Sequence, residues 1–290
     1  MVSTSKKISH KKKNSALLIK RLLKIAGFLS PTQTGNFIAQ KFLTPRKFRR
    51  PKWESELLTD AELKTLPSER KIWIWGKGPG VLLVHGWEGR GTQLGSMISP
   101  LVKNGYRVIA WDGPAHGDSP GKQTHLPNFA KALAEDLPAM GVVDAVIAHS
   151  MGGPATLIAM ERYSSIKKTI FIASPSQWMG AVNMVANKLE LSELTKNALI
   201  KSLNHLVGEA IENFDVHKRK PSANFEMLLI HSKEDSDVPY TEMLRINQAF
   251  PHAKTATFEG LGHRRILKDA GVIEHIMNFI SAAPIRHSPL

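Results

Sequence analysis

Cysteine is absent from this chain of 290 residues. Disulfides, thiolate metal sites and cysteine nucleophiles are therefore excluded. No apolar run approaches the ~18 residues that a membrane-spanning helix needs. Apolar residues make up 42% of the chain and charged residues 22%, ordinary values for a globular protein with a buried core.

Acidic residues are missing from the start of the chain, where the first one is Glu54. The first 50 residues hold 13 of the 39 Lys and Arg, so the remainder carries 26 basic and 25 acidic residues. The net charge of +14 therefore describes residues 1–50 and not the main domain. Nucleic-acid binding by the whole protein is not expected from this distribution.

Residues 1–50 are interpreted as a basic N-terminal segment that precedes a domain over residues 51–290. Residues 1–14 are polar and lysine-rich, which predicts disorder. Residues 15–29 predict an amphipathic helix, with leucines on the face opposite its cations. The three cations are Lys20, Arg21 and Lys24. This pattern favours contact with an anionic membrane surface, with packing on the domain or a solvated tail as alternatives.

A secretory signal peptide would need an unbroken apolar core and a cleavage site of small residues. Three cations interrupt the leucine-rich stretch, and no A-x-A-like site follows it. We therefore expect a cytoplasmic protein, with peripheral membrane contact as a further option. The sequence indicates no oligomeric state.

Short β-branched or aromatic runs alternate with helical stretches from residue 70 onward. Seven strands are predicted: Ile72–Trp75, Val81–Val84, Arg107–Trp111, Val142–Ala148, Thr169–Ala173, Met227–His231 and Ala253–Phe258. Helices are predicted near 92–104, 125–138, 151–163, 240–249 and 266–281. This alternation predicts an α/β fold, a mostly parallel sheet with helices on both faces. Chemistry in such sheets gathers at the carboxyl ends of the strands.

The strand pattern is interrupted over residues 176–222. Helical runs occur there instead, at Val182–Leu191 and Leu194–Val207. We interpret the interval as a small helical cap between the predicted strands Thr169–Ala173 and Met227–His231, of the kind that controls substrate access and excludes water. A pair of ordinary packing helices is the alternative.

Ser150 lies between a predicted strand and a predicted helix. Its surrounding segment AHSMG (148–152) has small residues two places before and two places after the serine, the pattern of a nucleophile elbow. This bend places the serine at a helix N-terminus, where free amides and the helix dipole favour a developing negative charge. An ordinary helix N-cap is the alternative.

Together with four further segments, this elbow resembles the α/β-hydrolase superfamily. The four are VLLVHGWEG (81–89), AWDGPAHGDS (110–119), HSKEDSDVP (231–239) and GLGH (260–263). They are similar to the superfamily's oxyanion turn, Gly-rich loop, acid loop and histidine loop. The resemblance spans roughly residues 70–282 and implies the α/β-hydrolase fold with the activity of an esterase-like or lipase-like serine hydrolase.

The resemblance also implies a role for each site residue. The implied triad is Ser150 as nucleophile, Asp235 as orienting acid and His263 as general base, in the chain order of the superfamily. Backbone N–H groups of Trp87 and Met151 are expected to bind the oxyanion. Asp237 stays open as the alternative acid, because it also follows the strand end.

Trp178 and Met179 are candidate residues of an acyl pocket, with plain core as the equal alternative. His85 and His116 are expected to be structural. No metal site is predicted, because no H-E-x-x-H or comparable ligand spacing occurs. Acyl transfer by a triad implies no cofactor and a small-molecule acyl substrate.

The leading functional hypothesis is hydrolysis of a carboxylic ester or thioester through an acyl-enzyme. The same triad would also serve amide hydrolysis, C–C bond hydrolysis, perhydrolysis or acyl transfer, and the fold does not decide among them. The hypothesis from another class is a non-catalytic protein that binds membrane or nucleic acid through its basic N-terminal arm.

Overall fold

The structure, a computed structural model, describes residues 17–163, 165–221 and 224–282. The disorder predicted for residues 1–14 falls outside the described residues. The described α-helices are α1 (17–29), α2 (Pro31–Phe42), α3 (Lys52–Leu57), α4 (Ile98–Lys103), α5 (Leu126–Asp136), α6 (Gly152–Met160), α7 (Trp178–Leu189), α8 (Glu193–Val207), α9 (Thr241–Ala249), α10 (Gly262–Arg265) and α11 (Ala270–Ser281). The strands are β1 (Glu62–Thr65), β2 (Lys71–Trp75), β3 (Gly80–Val84), β4 (Arg107–Trp111), β5 (Ala145–His149), β6 (Lys168–Ile172), β7 (Glu226–Ser232) and β8 (Lys254–Phe258).

These strands form one sheet in the order β1-β2-β4-β3-β5-β6-β7-β8. The β1–β2 and β2–β4 pairs are antiparallel, and all the other pairs are parallel. The predicted α/β class and mostly parallel sheet are therefore confirmed. The seven predicted strands correspond to β2–β8, and β1 is the strand that the sequence did not predict.

Both faces of the sheet are covered in its middle, where every residue of β3, β5 and β6 is buried. Such continuous burial is typical of parallel strands between two helical layers. On one face, Leu83 shares a core with Leu101 of α4 and Ile276 of α11. On the other face lies the start of α6, where a Cβ added to Gly153 would be 3.3 Å from the ring of Phe171.

The chain divides into two compact units. The sheet unit consists of Thr44–Gln177 and of the described residues from Phe214 onward. The helical unit consists of the described residues up to Leu43 together with Trp178–Asn213. The sequence predicted a domain boundary at residue 50 and a cap over residues 176–222. Both stay predictions, because this division into compact units does not test them.

The helical unit contains α1, α2, α7 and α8. Its core is made by Ile38 and Ala39 of α2, Val182 of α7, and Leu199 and Leu203 of α8. Because α2 and α8 approach closely, a Cβ at Gly35 would lie 2.6 Å from the backbone nitrogen of Leu199. Glycine therefore sets the distance between these two helices.

Within residues 17–163, 165–221 and 224–282, no helix combines the length and the apolar character that crossing a bilayer demands.

Candidate active site

Ser150 occupies a sharp bend between β5 and α6. Its φ of 53° lies in the left-handed region, which side-chain-bearing residues adopt only under constraint. The Ser150 N–H donates to the carbonyl oxygen of Ile172 at 2.9 Å, and the Gly153 N–H donates to the Ser150 carbonyl at 3.0 Å. These bonds hold the strained serine at the carboxyl edge of the sheet, in the geometry of a nucleophile elbow.

Two glycines permit the close packing around this elbow. A Cβ on Gly86 would lie 2.7 Å from the Cβ of Ser150, and a Cβ on Gly152 would lie 2.7 Å from the carbonyl oxygen of Val84. A larger residue at either position would collide with the bend. The turn that follows β3 therefore lies directly against Ser150.

Asp235 and His263 form a hydrogen-bonded pair at the same edge of the sheet. Asp235 follows β7 and His263 lies in α10 after β8. The His263 Nδ1 and the Asp235 Oδ2 are 2.8 Å apart. The carboxylate accepts the Nδ1–H, so Nε2 of His263 is left to take a proton.

The Asp235 carboxylate is held in the ionised form. Its Oδ1 accepts the backbone N–H groups of Asp237 and Val238, both at 2.9 Å. Burial alone would raise the pKa of Asp235, but the hydrogen bond and charge attraction of His263, with these backbone donors, keep that pKa below its ordinary value. A buried carboxylate of this kind stabilises an imidazolium beside it.

Asp237, the alternative acid, has a different environment. Its side chain is exposed, whereas that of Asp235 is fully buried. The Asp237 residue contributes its backbone N–H to Asp235 and makes no side-chain bond to His263 within the described residues. His231, 3.6 Å from the Asp235 Oδ2, bonds through Nε2 to the Val238 carbonyl at 2.9 Å and so closes the acid loop.

His149 connects the elbow to the loop that carries His263. The His149 Nε2–H donates to the backbone carbonyl of His263 at 2.9 Å, and the two ring centroids are 4.6 Å apart. Burial lowers the pKa of His149 to about 3, so it is neutral and can donate in this way. Ser150, the next residue, makes no side-chain hydrogen bond in the described part of the chain, and catalytic bonds of this kind often tighten only when substrate binds.

Two backbone N–H groups beside Ser150 have no hydrogen-bond acceptor among the described residues. They belong to Trp87, in the turn after β3, and to Met151, the N-cap of α6. Unsatisfied N–H groups at a helix N-terminus and an adjacent turn can stabilise an oxyanion. The structure thus leaves free the two donors that the sequence proposed.

The turn that carries Trp87 is held through Glu88, whose φ of 57° is also left-handed. The Glu88 N–H donates to Nε2 of His116 at 3.0 Å. Its carboxylate accepts a hydrogen bond from Nε of Arg46 at 2.7 Å and another from Nη2 of the same guanidinium at 2.8 Å. The carboxylate also accepts the Arg46 backbone N–H at 3.2 Å, so Arg46 fixes Glu88 by three bonds.

Arg46 is part of a non-helical segment, residues 44–50, which we call the basic strap. Lys47 donates to the Ser119 carbonyl at 3.0 Å, and Arg50 pairs with Asp118 at 3.1 Å. The strap therefore contacts both the turn after β3 and the Gly-rich loop of residues 112–119.

The Gly-rich loop is braced by neutral histidines, as the sequence suggested. His85 bonds through Nδ1 to the Gly86 carbonyl at 2.7 Å and accepts the Gly113 N–H at Nε2. Burial lowers the pKa of His116 to about 4, which keeps it an acceptor for the Glu88 N–H. Burial also raises the pKa of Asp112 to about 6, although two backbone N–H groups bond to it.

Comparison with known proteins agrees with this fold. Residues 81–208, which include the turn after β3 and the elbow, match the alpha/beta hydrolase family. The matched residues belong to the α/β-hydrolase superfamily, and the chain has the α/β-hydrolase fold. An esterase from Exiguobacterium antarcticum is a structural neighbour of this α/β-hydrolase, with a TM-score of 0.58 at 16% identity over 76% of this chain and 99% of that one.

Curated relatives of this α/β-hydrolase carry several names. A non-heme haloperoxidase from Rhodococcus erythropolis is 31% identical over 105 residues, which cover 34% of this chain and 38% of the relative. The chain spans only 30–38% of the length of that relative and of two others. A pimeloyl-[acyl-carrier protein] methyl ester esterase from Xanthomonas campestris is 25% identical over 73% of this chain and 98% of the relative.

The candidate site residues lie in both units of the chain. Ser150, Asp235 and His263 all follow carboxyl ends of strands in the sheet unit. Trp178 and Met179 begin α7 in the helical unit and pack against the core of that unit. Their role in an acyl pocket stays a prediction.

Sequence reasoning missed the strap and its contact with the turn. Arg46 and Glu88 are 42 positions apart, and an ion pair at that separation leaves no periodic signal. The only available signal was the position of Glu88 next to Trp87 in a turn that already carried chemistry.

Proposed function

We propose that this α/β-hydrolase is a serine hydrolase that cleaves a carboxylic ester or thioester through an acyl-enzyme on Ser150. The observation that carries the proposal is the Asp235–His263 hydrogen bond of 2.8 Å, beside the strained elbow of Ser150. That bond gives His263 the tautomer of a general base. Relatives named esterases add support at low identity.

Acylation begins when the Ser150 Oγ attacks the carbonyl carbon of the substrate. His263 Nε2 takes the hydroxyl proton, and the buried Asp235 carboxylate stabilises the imidazolium that results. The negative charge moves to the carbonyl oxygen, where the N–H groups of Trp87 and Met151 receive it. One such donor is typically worth ~3–4 kcal/mol of transition-state stabilisation.

The tetrahedral intermediate then collapses, and the bond to the leaving group breaks. His263 returns its proton to the departing alkoxide or thiolate, so an alcohol or thiol leaves and the acyl group stays on Ser150. Water attacks next and gives its proton to His263. The carboxylic acid is released and the serine hydroxyl is restored.

Perhydrolysis is a second candidate on the same residues. The relative named a non-heme haloperoxidase, at 31% identity over 105 residues, favours it. Hydrogen peroxide would replace water as the acceptor of the acyl group, and the product would be a peracid. Adding peroxide to a turnover assay separates the two, since only perhydrolysis forms the peracid.

The proposal is tested by pre-steady-state kinetics with nitrophenyl esters of increasing acyl length. We expect a burst of nitrophenol stoichiometric with enzyme, because acylation releases nitrophenol before water arrives. The burst should disappear in Ser150→Ala. Turnover that persists in Ser150→Ala, or a correctly folded wild type inactive on every ester and thioester offered, would refute the proposal.

A further inference from the structure

Helix α1 carries a row of large apolar side chains that the fold leaves uncovered. Leu18, Leu22, Ile25 and Leu29 recur at spacings of four and three, so they form one stripe along the helix, which we call the apolar ridge. Each of the four side chains is 57–75% exposed. Phe28, beside the ridge, is 86% exposed. Apolar groups contiguous on this scale mark an interaction surface.

The helix already has a packed side, and the ridge is opposite it. Lys20, Leu23 and Gly27 form the less exposed stripe of α1. A Cβ on Gly27 would lie 2.7 Å from Oγ1 of Thr195, so this stripe rests on α8 within the helical unit. The ridge is therefore not the side that α1 uses for its own packing.

Two unpaired cations lie on one side of α1, between the ridge and the packed stripe. Arg21 and Lys24 are exposed and make no ion pair or hydrogen bond with any described residue. Lys20 is the cation of α1 that pairs internally, with Glu190 at 3.2 Å. The sequence supplies five more lysines before the helix, at positions 6, 7, 11, 12 and 13. No acidic residue occurs before Glu54 to offset them.

We infer that α1 is an interfacial helix that binds an anionic lipid membrane, with the apolar ridge inserted among the acyl chains. Leucine and isoleucine side chains stabilise the bound state by leaving water, while the unpaired cations, which lie nearer the water, contact lipid phosphates. Each Lys or Arg near an anionic membrane adds electrostatic attraction to it. The helix lies in the plane of the interface and does not cross it. The inference is independent of the proposed catalysis.

The unpaired cations of α1 favour an anionic membrane, rather than a second copy of this chain, as the partner of the ridge. Two copies that met ridge to ridge would bring together their unpaired Arg21 and Lys24 side chains, which repel one another. An anionic lipid surface compensates these charges. An acidic partner protein would have to supply both an apolar groove and several carboxylates.

Vesicle flotation of the full chain tests the inference. The vesicles are phosphatidylcholine, with or without phosphatidylglycerol. The ridge variant is Leu22→Ser/Ile25→Ser, and the matched control is Leu63→Ser/Leu244→Ser, two exposed leucines of the sheet unit. A charge variant, Arg21→Glu/Lys24→Glu, probes the lipid headgroups. Circular dichroism confirms that each variant is folded.

The wild type and the matched control should float with phosphatidylglycerol vesicles, less so at high salt. The ridge variant should bind at least about tenfold more weakly, since two inserted side chains are lost. The charge variant should lose the preference for anionic vesicles. The inference is overturned if the wild type does not float, if the ridge variant floats equally well, or if the ridge variant only abolishes a dimer in sedimentation velocity.

Discussion

Arg46 touches no reacting atom in the proposed mechanism, yet it fixes the turn that presents the Trp87 N–H. Three hydrogen bonds join Arg46 to Glu88, which has a left-handed backbone next to that donor. Burial tends to raise the pKa of Glu88, and the Arg46 bonds outweigh it, so the carboxylate stays charged. Arg46 is therefore a positioning residue for the oxyanion donor.

Arg46→Ala should lower kcat for an ester about tenfold and leave KM nearly unchanged, because a displaced donor weakens transition-state binding more than ground-state binding. Steady-state kinetics checks this. The control is Arg49→Ala, since Arg49 is an exposed strap residue without an ion pair or hydrogen bond among the described residues. Equal effects of both variants, or a change confined to KM, would count against a positioning role.

Asp235 should be distinguishable from Asp237 by a single-atom change. Asp235→Asn keeps the size of the side chain but favours the wrong tautomer of His263, so kcat should fall about 10³–10⁴-fold. Asp237→Asn should stay within about twofold of the wild type. Rapid-quench or steady-state assays of the two variants decide the matter. A larger loss in Asp237→Asn would reassign the acid.

Most elements that could be predicted from the sequence have a buried apolar pattern. The seven predicted strands correspond to β2–β8, and β2–β7 are buried for most of their length. Strand β8 is largely exposed, and its β-branched Thr255 and Thr257 still favour a strand. Strand β1 has four exposed residues and no alternation, because it pairs along one edge of β2 only. Helix α2 was not predicted, because it lies within the basic segment of residues 1–50.

Gly35 and Gly180 should respond to alanine in opposite directions, although both lie inside helices of the helical unit. At Gly35 the new methyl group would be 2.6 Å from Leu199 N and 2.7 Å from the Cβ of Ala198, so α2 and α8 must separate. At Gly180 nothing lies within 4 Å. We expect Gly35→Ala to lose about 1–3 kcal/mol by overpacking and Gly180→Ala to gain up to about 1 kcal/mol from helix propensity.

Urea unfolding of the two glycine variants measures these shifts against the wild type. Both variants replace a helical glycine by alanine. A difference in the sign of the change in unfolding free energy therefore reports the packing of α2 on α8. A Gly35→Ala protein at least as stable as Gly180→Ala would contradict the close approach of the two helices.

At the scale of the whole molecule, the basic N-terminal residues divide between two kinds of surroundings. Arg46 and Arg50 form ion pairs within the sheet unit, whereas Arg21 and Lys24 form none within the described residues. The sequence shows where the basic residues are but not which of them form ion pairs. The carboxylates that pair with Arg46 and Arg50 are 42 and 68 positions away in the chain. The candidate triad residues could be proposed from the sequence because each lies in a short local motif, whereas the contacts between them depend on the order of the strands in the sheet.

The pH dependence of folding should follow the buried histidines. Burial lowers the pKa of His116 to about 4 and of His149 to about 3, whereas an exposed histidine titrates near 6.5. The unfolded chain therefore binds protons first as the pH falls. The stability that these neutral rings contribute is complete above pH 6.5 and is lost as the pH falls through the folded values.

Asp112 changes the pH dependence of stability in the opposite direction to the histidines. Burial raises its pKa to about 6, so protonation below pH 6 favours the folded state. The stability lost by protonating the two histidines exceeds the stability gained by protonating Asp112. The free energy of unfolding should therefore be lower by about 3 kcal/mol at pH 4.5 than at pH 7. Urea titrations at both pH values measure this, with His116→Gln reducing the difference. A protein equally stable at both would contradict the buried neutral histidines.

Covalent labelling with a fluorophosphonate, followed by intact mass and peptide mapping, tests directly whether Ser150 is a nucleophile activated by His263 and Asp235. We expect one adduct per chain, on Ser150, absent in Ser150→Ala and formed far more slowly in His263→Ala because the base is gone. A folded wild type that forms no adduct, or an adduct that persists in Ser150→Ala, would contradict this expectation.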